Sequence, residues 1–184
     1  TNISGQCTLS GGCESDQVDQ QFNGGAVWVY GVEAAAGHIV LLPGELSIPV
    51  KGTFTWTESA FQTGFTSGFA QFGTVEIGDS LPYSPRMQAS GNLTLAHPRG
   101  SLGTGVSWHS GMLDEAGVWP DDLTETGHIP PLLLLDAALH INIDDHVSLY
   151  TTGTNLTGST AITSWRPLGA RPVAPRMVLS LIHI

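Results

Sequence analysis

The sequence predicts an all-β chain: an antiparallel, up-and-down run of about seven transmembrane β-strands, forming part of a barrel or an open sheet. Three observations predict it. Segments of roughly ten residues alternate apolar and polar side chains with period two, the length that a tilted strand needs to cross a bilayer. The polar members of the alternation are mostly Thr, Ser, Gly, Asn and Gln, and only 12% of the 184 residues are charged, against roughly a quarter in soluble domains. The connections also differ sharply in length, as short periplasmic turns and long extracellular loops do in outer-membrane barrels.

Ala26 to Ala34 sets Trp28, Tyr30 and Val32 on one face, with Val27, Val29, Gly31 and Glu33 on the other, and the aromatic face is expected to meet lipid. Residues 35–48 read as a Gly- and Pro-rich loop, longer than a periplasmic turn should be. Lys51 to Ser59 opposes Phe54 and Trp56 to Thr53, Thr55, Thr57 and Ser59. From Arg86 to Ala96, Met87, Ala89, Gly91, Leu93 and Leu95 oppose Gln88, Ser90, Asn92 and Thr94, and His97-Pro98-Arg99-Gly100 reverses the chain.

Leu102, Thr104, Val106 and Trp108 alternate with Gly103, Gly105, Ser107 and His109, small and polar residues suited to a water-lined interior. Leu133, Leu135, Ala137, Leu139 and Ile141 then oppose Leu134, Asp136, Ala138, His140 and Asn142. Asp144-Asp145 is predicted to be a tight turn from which Val147 to Thr154 returns antiparallel. Long connections are expected near 61–84, 112–130 and 156–172, and Phe61, Phe65, Phe69 and Phe72 are expected to pack within the first.

Composition excludes several functions. A net charge of −10 with six Lys and Arg residues cannot hold nucleic-acid phosphates. Lys51 is the only lysine, so no basic run holds a membrane surface. No stretch reaches the roughly 18 to 20 apolar residues of a membrane helix. No signal peptide opens the sequence, and Thr1 reads as a processed or cut end. Cys7 and Cys13 are spaced for a small disulfide-closed loop in an oxidising compartment, a free thiol pair being the alternative.

A secreted soluble β-sandwich binding carbohydrate or protein is the alternative fold and function, but a solvated sheet face carries Lys and Glu rather than Thr, Ser and Gly. No enzyme is expected. Asp114 and Glu115, and Asp121 and Asp122, are adjacent loop residues that would not converge as acid and base. Ser107, His109 and Asp114 lack the sharp Gly-x-Ser-x-Gly turn of a hydrolase nucleophile. The seven histidines show no metal-ligand spacing. His109 and His140 read as interior-facing polar residues, and His128 as a loop residue.

Several motifs follow one another in a telling order. Phe22-Asn23-Gly24-Gly25 leads through Val29 to Gly31-Val32-Glu33, followed by Phe54-Thr55-Trp56-Thr57. Gly73-Thr74-Val75 then precedes Gly78-Asp79-Ser80-Leu81-Pro82-Tyr83-Ser84-Pro85, the most specific of the set. Asp136-Ala137, Asn155-Leu156-Thr157 and Arg166-Pro167-Leu168-Gly169-Ala170-Arg171-Pro172 with Pro175-Arg176 complete it. From about Phe22 onward the chain resembles the C-terminal part of the β-barrel of TonB-dependent outer-membrane receptors, of the ferric-citrate and ferric-siderophore type.

That resemblance implies a place in the outer membrane of a Gram-negative bacterium, among its lipids, and the import of a ferric siderophore or ferric citrate driven by the TonB system. It implies no cofactor: iron would arrive inside a bound chelate. The plug domain and the segment that grips TonB lie outside these residues, as do most of the roughly 22 strands of such transporters, so transport by the fragment alone is not expected. An anionic chelate would call for guanidinium forks, which makes Arg166, Arg171, Arg86 and Arg176 the candidate ligand-binding residues. Asn2, Asn92 and Asn155 form glycosylation sequons that read as ordinary strand and turn residues in such a barrel. The family ends on an aromatic residue, whereas Leu179 to Ile184 is the peptide encoded by a transposase adaptor, CTGTCTCTTATACACATC, so residues 179–184 are expected to be a non-native tail.

Overall fold

Alternating apolar and hydroxyl-bearing residues give strands with two unlike faces, and seven of them join in one antiparallel sheet in which every strand pairs with its neighbour in sequence. They are β1 (Val27–Leu42), β2 (Leu46–Phe61), β3 (Met87–His97), β4 (Gly100–His109), β5 (Leu132–Asn142), β6 (Ser148–Thr154) and β7 (Met177–His183). The computed structural model describes residues 2–4, 7–8, 12–13, 21–23, 25–69, 71–119, 128–165 and 169–184. The up-and-down order and the seven sheet strands agree with the sequence reading. Short two- or three-residue ladders occupy the loops.

One stretch departs from that reading. Residues 35–48 are not a loop: β1 and β2 are 16 residues each and meet at a reversal over 43–45, where Gly44 has φ +78° and Glu45 φ +60°. The Gly and Pro residues that suggest a loop are tolerated in the strands. Pro49 still opposes Ile39 on β1, while the β2–β3 register passes from Ser47↔Ala96 to Val50↔Leu93 without pairing it, as expected of a residue with no N–H to give to a ladder. The turns at 43–45, 98–99 and 143–147 are therefore uniformly short. Asp144 Oδ1 closes the last of them by accepting from the backbone N–H groups of His146 (2.8 Å) and Val147 (2.9 Å).

Register sorts the residues by face. Phe54, Ala89, Trp108 and Leu133 oppose one another across β2 to β5, and the next row, Thr53, Ser90, Ser107 and Leu134, lies on the other side. Across the polar face, Thr53 and Ser90 join hydroxyl to hydroxyl at 2.7 Å. The opposite face carries Trp28, Tyr30, Val32, Leu93, Leu95, Leu102, Val106 and Leu135, all exposed. So large an apolar surface is foreign to a soluble monomer. Three of its hydroxyls bond within the sheet: Thr104 donates to the Leu93 carbonyl, and Thr151 and Ser180 pair at 3.0 Å.

The alternation lapses in β7. Val178 and Ile182 share the apolar face, yet Leu179 and Leu181 oppose Thr152 and Tyr150 on the polar one. The buried apolar residues lie at the loop end rather than in the middle of the sheet: Phe61, Phe69, Val75, Leu113, Ile129 and Leu132.

Candidate functional site

The three long connections, 62–86, 110–131 and 155–176, all leave the same end of the sheet. β2 runs five residues beyond Trp56, the partner of the first residue of β3, to Phe61. The first loop covers this overhang. Phe61 N–H donates to the Asp79 carbonyl (2.9 Å), Gly78 N–H to the Phe61 carbonyl (2.8 Å) and Leu81 N–H to Ser59 Oγ (3.0 Å). Gly78 adopts φ +99°, while Asp79 turns its Oδ2 back to the Glu76 N–H at 2.8 Å. The Gly-Asp-Ser-Leu-Pro motif thus caps an otherwise bare strand edge.

Above it, Phe61 is 1% exposed and meets Phe65 and Phe72 with ring centroids 5.5 and 6.2 Å apart, Phe69 meeting Phe72 edge-to-face at 6.5 Å. The phenylalanines are the core of the loop, as their spacing suggests. The third loop is organised by Asn155, 4% exposed with φ +50°. Its Nδ2 donates to the carbonyls of Ser159 and Ala174, both at 2.8 Å, and its Oδ1 accepts from Ser159 N–H (2.9 Å) and Thr157 Oγ1 (3.0 Å). Its own N–H goes to Asp136 Oδ1 on β5 at 2.8 Å. The Asn155 amide is consumed by this network, which leaves it no role as a glycan acceptor.

Beneath the loops, the polar face has a depression of about 310 Å³ lined by Thr53, Thr55, Gln88, Ser90, Ser107 and His109. These side chains offer hydrogen bonds without formal charge. His109 Nδ1 lies 2.7 Å from the Ser110 carbonyl, which can only accept, so the proton sits on Nδ1. A second hollow of about 620 Å³ nearer the short turns is lined by Ala35, Gly37, Lys51, Asn92 and Thr94. The His140 ring stacks on Tyr150 at 4.3 Å on the same face. Among the described residues no group of three or more His, Cys, Asp or Glu could hold a metal ion. The arrangement suits a wetted wall along which a polar solute exchanges hydrogen bonds.

Of the predicted arginines, Arg86, Arg171 and Arg176 are described, and each sits against different neighbours. Arg86 reaches Glu58, its Nε 3.1 Å from Oε1 as an ion pair outside hydrogen-bond geometry, and its guanidinium lies 4.7 Å from the centre of the Trp119 ring. It therefore fastens the 110–131 loop to the rim of β2. Arg176 packs its guanidinium over Gly158, and Arg171 is exposed within the Ile162–Ser164 and Arg171–Pro172 ladder. Arg166 lies outside the described residues, as do Asp121 and Asp122. Sequence reasoning missed Trp119 as the partner of Arg86 and Asp136 as the partner of Asn155.

Cys7 and Cys13 are direct cross-strand partners in a two-residue ladder. Opposed antiparallel residues have Cα atoms about 4.5 to 5.5 Å apart, inside the range a disulfide requires. Alkylation under denaturing conditions is expected to label both thiols only after reduction; labelling of the untreated protein would show a free pair.

Comparison with known proteins gives three results. Residues 1–156 match the family described as TonB dependent receptor-like, beta-barrel. The ferric-catecholate import receptor Fiu from E. coli K12, in its closed form, superposes with a TM-score of 0.64 at 19% identity, over 92% of this chain and 22% of that one. The siderophore receptor PiuA from Acinetobacter baumannii gives 0.61 at 18% identity, over 85% and 22%. The chain thus spans 22% of the length of each receptor. No curated protein sequence matches it.

Proposed function

From the premise that this chain belongs to the TonB-dependent receptor-like β-barrel family, we propose that it is a stretch of the wall of an outer-membrane receptor importing an iron chelate. The observation that carries this reading is the two-faced sheet. One face, with Trp28, Tyr30, Leu93, Leu102 and Leu135, is fit for hydrocarbon, and the other, with Thr53, Ser90 and Ser107, is fit for water. Three roofing loops stand over a single end. A soluble sandwich is not favoured, since it needs a second sheet over the apolar face, and the described strands form one large sheet whose apolar face is exposed.

In this role the chain performs no bond chemistry. Its wall offers exchanging hydrogen bonds to a hydrated chelate, while the exposed Arg171 at the mouth, together with Arg166, would meet an anionic one. Cells lacking their own chelate receptors and expressing the full-length protein should accumulate radiolabelled iron from a siderophore only when TonB is present. Equal accumulation without TonB, or recovery of the protein in the soluble fraction, would contradict the reading. Arg171→Ala and Arg166→Ala are each expected to weaken binding of an anionic chelate about fivefold, roughly 1 kcal/mol; unchanged affinity rejects their role.

A further inference from the structure

The polar face carries its fixed positive charge in one place. Among the described residues of the seven sheet strands, Lys51 is the only Lys or Arg on that face. Its row crosses the sheet as Gly37, Lys51, Asn92, Gly105 and Asp136. Asp136 stands three strands away, about 14 Å at the usual strand spacing, and its Oδ1 already accepts from the Asn155 N–H at 2.8 Å. Glu33, opposite Thr55, lies four residues along the strand direction, about 13 Å off. Lys51 finds no ion-pair or hydrogen-bond partner among the described residues.

Room is left beside it. Lys51 borders the 620 Å³ hollow, and on the β1 side the floor is made by Ala35 and Gly37. Lys51 Cβ and Cγ lie 3.9 Å from where a Cβ on Gly37 would stand, so the absent side chain keeps that side open. On the β3 side the neighbours turn away: a Cβ at Gly105 would meet Asn92 Oδ1 at 3.1 Å, and one at Gly103 would meet Thr94 Oγ1 at 3.3 Å. Asn92 and Thr94 thus lean over β4, and neither oxygen serves as an acceptor for the ammonium. Ile39 and Pro49 border the hollow toward the short turns and offer the charge nothing.

We propose that this hollow is a carboxylate site, with the Lys51 ammonium as its charge and Gly37 and Ala35 as the floor that admits the ligand. One ammonium balances one carboxylate, whereas a phosphate dianion would stay half neutralised. The carboxylate has two sources: a solute passing along the wall, or an acidic side chain from a part of the receptor outside residues 1–184, which span 22% of each of the two receptors compared. The inference rests on the proposed function only in taking this face to be wetted.

Carbodiimide coupling on the full-length receptor in detergent, read by peptide mass spectrometry, tests it, because the reagent joins an amine to a carboxylate where the two touch. A Lys51 peptide joined, without added solute, to an acidic residue outside 1–184 supports the receptor's own side chain as occupant. A citryl amide on Lys51, formed in excess citrate, supports a solute. Lys51 uncoupled under both conditions, or joined to Glu33, overturns the proposal. A water-soluble acetylating reagent separates the two failures. Lys51 acetylated but never coupled rejects the carboxylate site and leaves the wetted wall standing, while Lys51 reached by neither reagent contradicts both. Lys51→Gln should lower the Tm of the solute-free receptor in the first case, or weaken citrate binding about fivefold in the second; a variant unchanged in both measures overturns the proposal.

Discussion

Replacing Asn155 with alanine is expected to loosen the fold of the 155–176 loop, at a cost of about 3 to 5 kcal/mol in local stability. The four hydrogen bonds of the carboxamide, to Ser159, Ala174 and Thr157, are lost together. A buried bond of this kind contributes about 1 kcal/mol net, and the carbonyls left behind add their own desolvation cost. Alanine also tolerates the φ of +50° less well than asparagine. Faster cleavage within the loop by a dilute protease, with the sheet intact, is the readout. Asn155→Asp keeps both acceptor roles but sets a carboxylate oxygen against the Ser159 and Ala174 carbonyls, so it should be about as damaging. Asn155→Gly, which accepts the backbone angle, should lose roughly 1 kcal/mol less. Wild-type protease resistance in Asn155→Asp would show that the two donated bonds do not hold the loop.

The second large effect concerns the lipid-facing side. Leu93 lies mid-strand in β3, opposite Val50, and Thr94 beside it points to the polar face. Leu93→Arg is expected to cost about 2 to 4 kcal/mol of folding stability in a bilayer, the usual range for a cation on the lipid face near the midplane. Thr94→Arg, one residue along, should cost less than about 1 kcal/mol, because its guanidinium stays in water. Folding into vesicles across a denaturant series measures both. Equal costs would mean that the two faces share one solvent.

Much of this was legible from period two alone. Phe54 and Trp56 against Thr53 and Thr55, or Leu102 and Val106 against Gly103 and Ser107, carry the face assignment in their order, and the reversal at Pro98-Arg99 carries its own turn chemistry. The error at 35–48 has a local cause: Gly37, Pro43, Gly44 and Pro49 mimic a loop, whereas only 43–45 turns and Pro49 sits where a missing ladder bond is tolerated. β7 was harder to place by pattern, because Leu179 and Leu181 fall on the face that polar residues occupy elsewhere.

The loops were the least legible part. Nothing in the spacing of Ser80 and Gly117 announces that they pair, since the partnership is set by three-dimensional closure rather than by local periodicity. Asn155 carried a faint signal, an asparagine at the end of a strand with a glycine three residues later, but its acceptors at Ala174 and Ser159 become visible only once the loop is folded. Arg86 reads in sequence as a candidate ligand contact, and the fold gives it Glu58 and Trp119.

The central claim, a wall with lipid on one side and water on the other, meets its most direct test in a nitroxide scan of β3. Single spin labels at Met87 through His97, in the full-length protein in nanodiscs, are exposed in turn to oxygen, which concentrates in hydrocarbon, and to a water-soluble nickel chelate. Ala89, Gly91, Leu93 and Leu95 should relax with oxygen, and Gln88, Ser90, Asn92 and Thr94 with nickel, in strict alternation. Nickel access at both sets of positions, or the loss of the two-residue period, would contradict it.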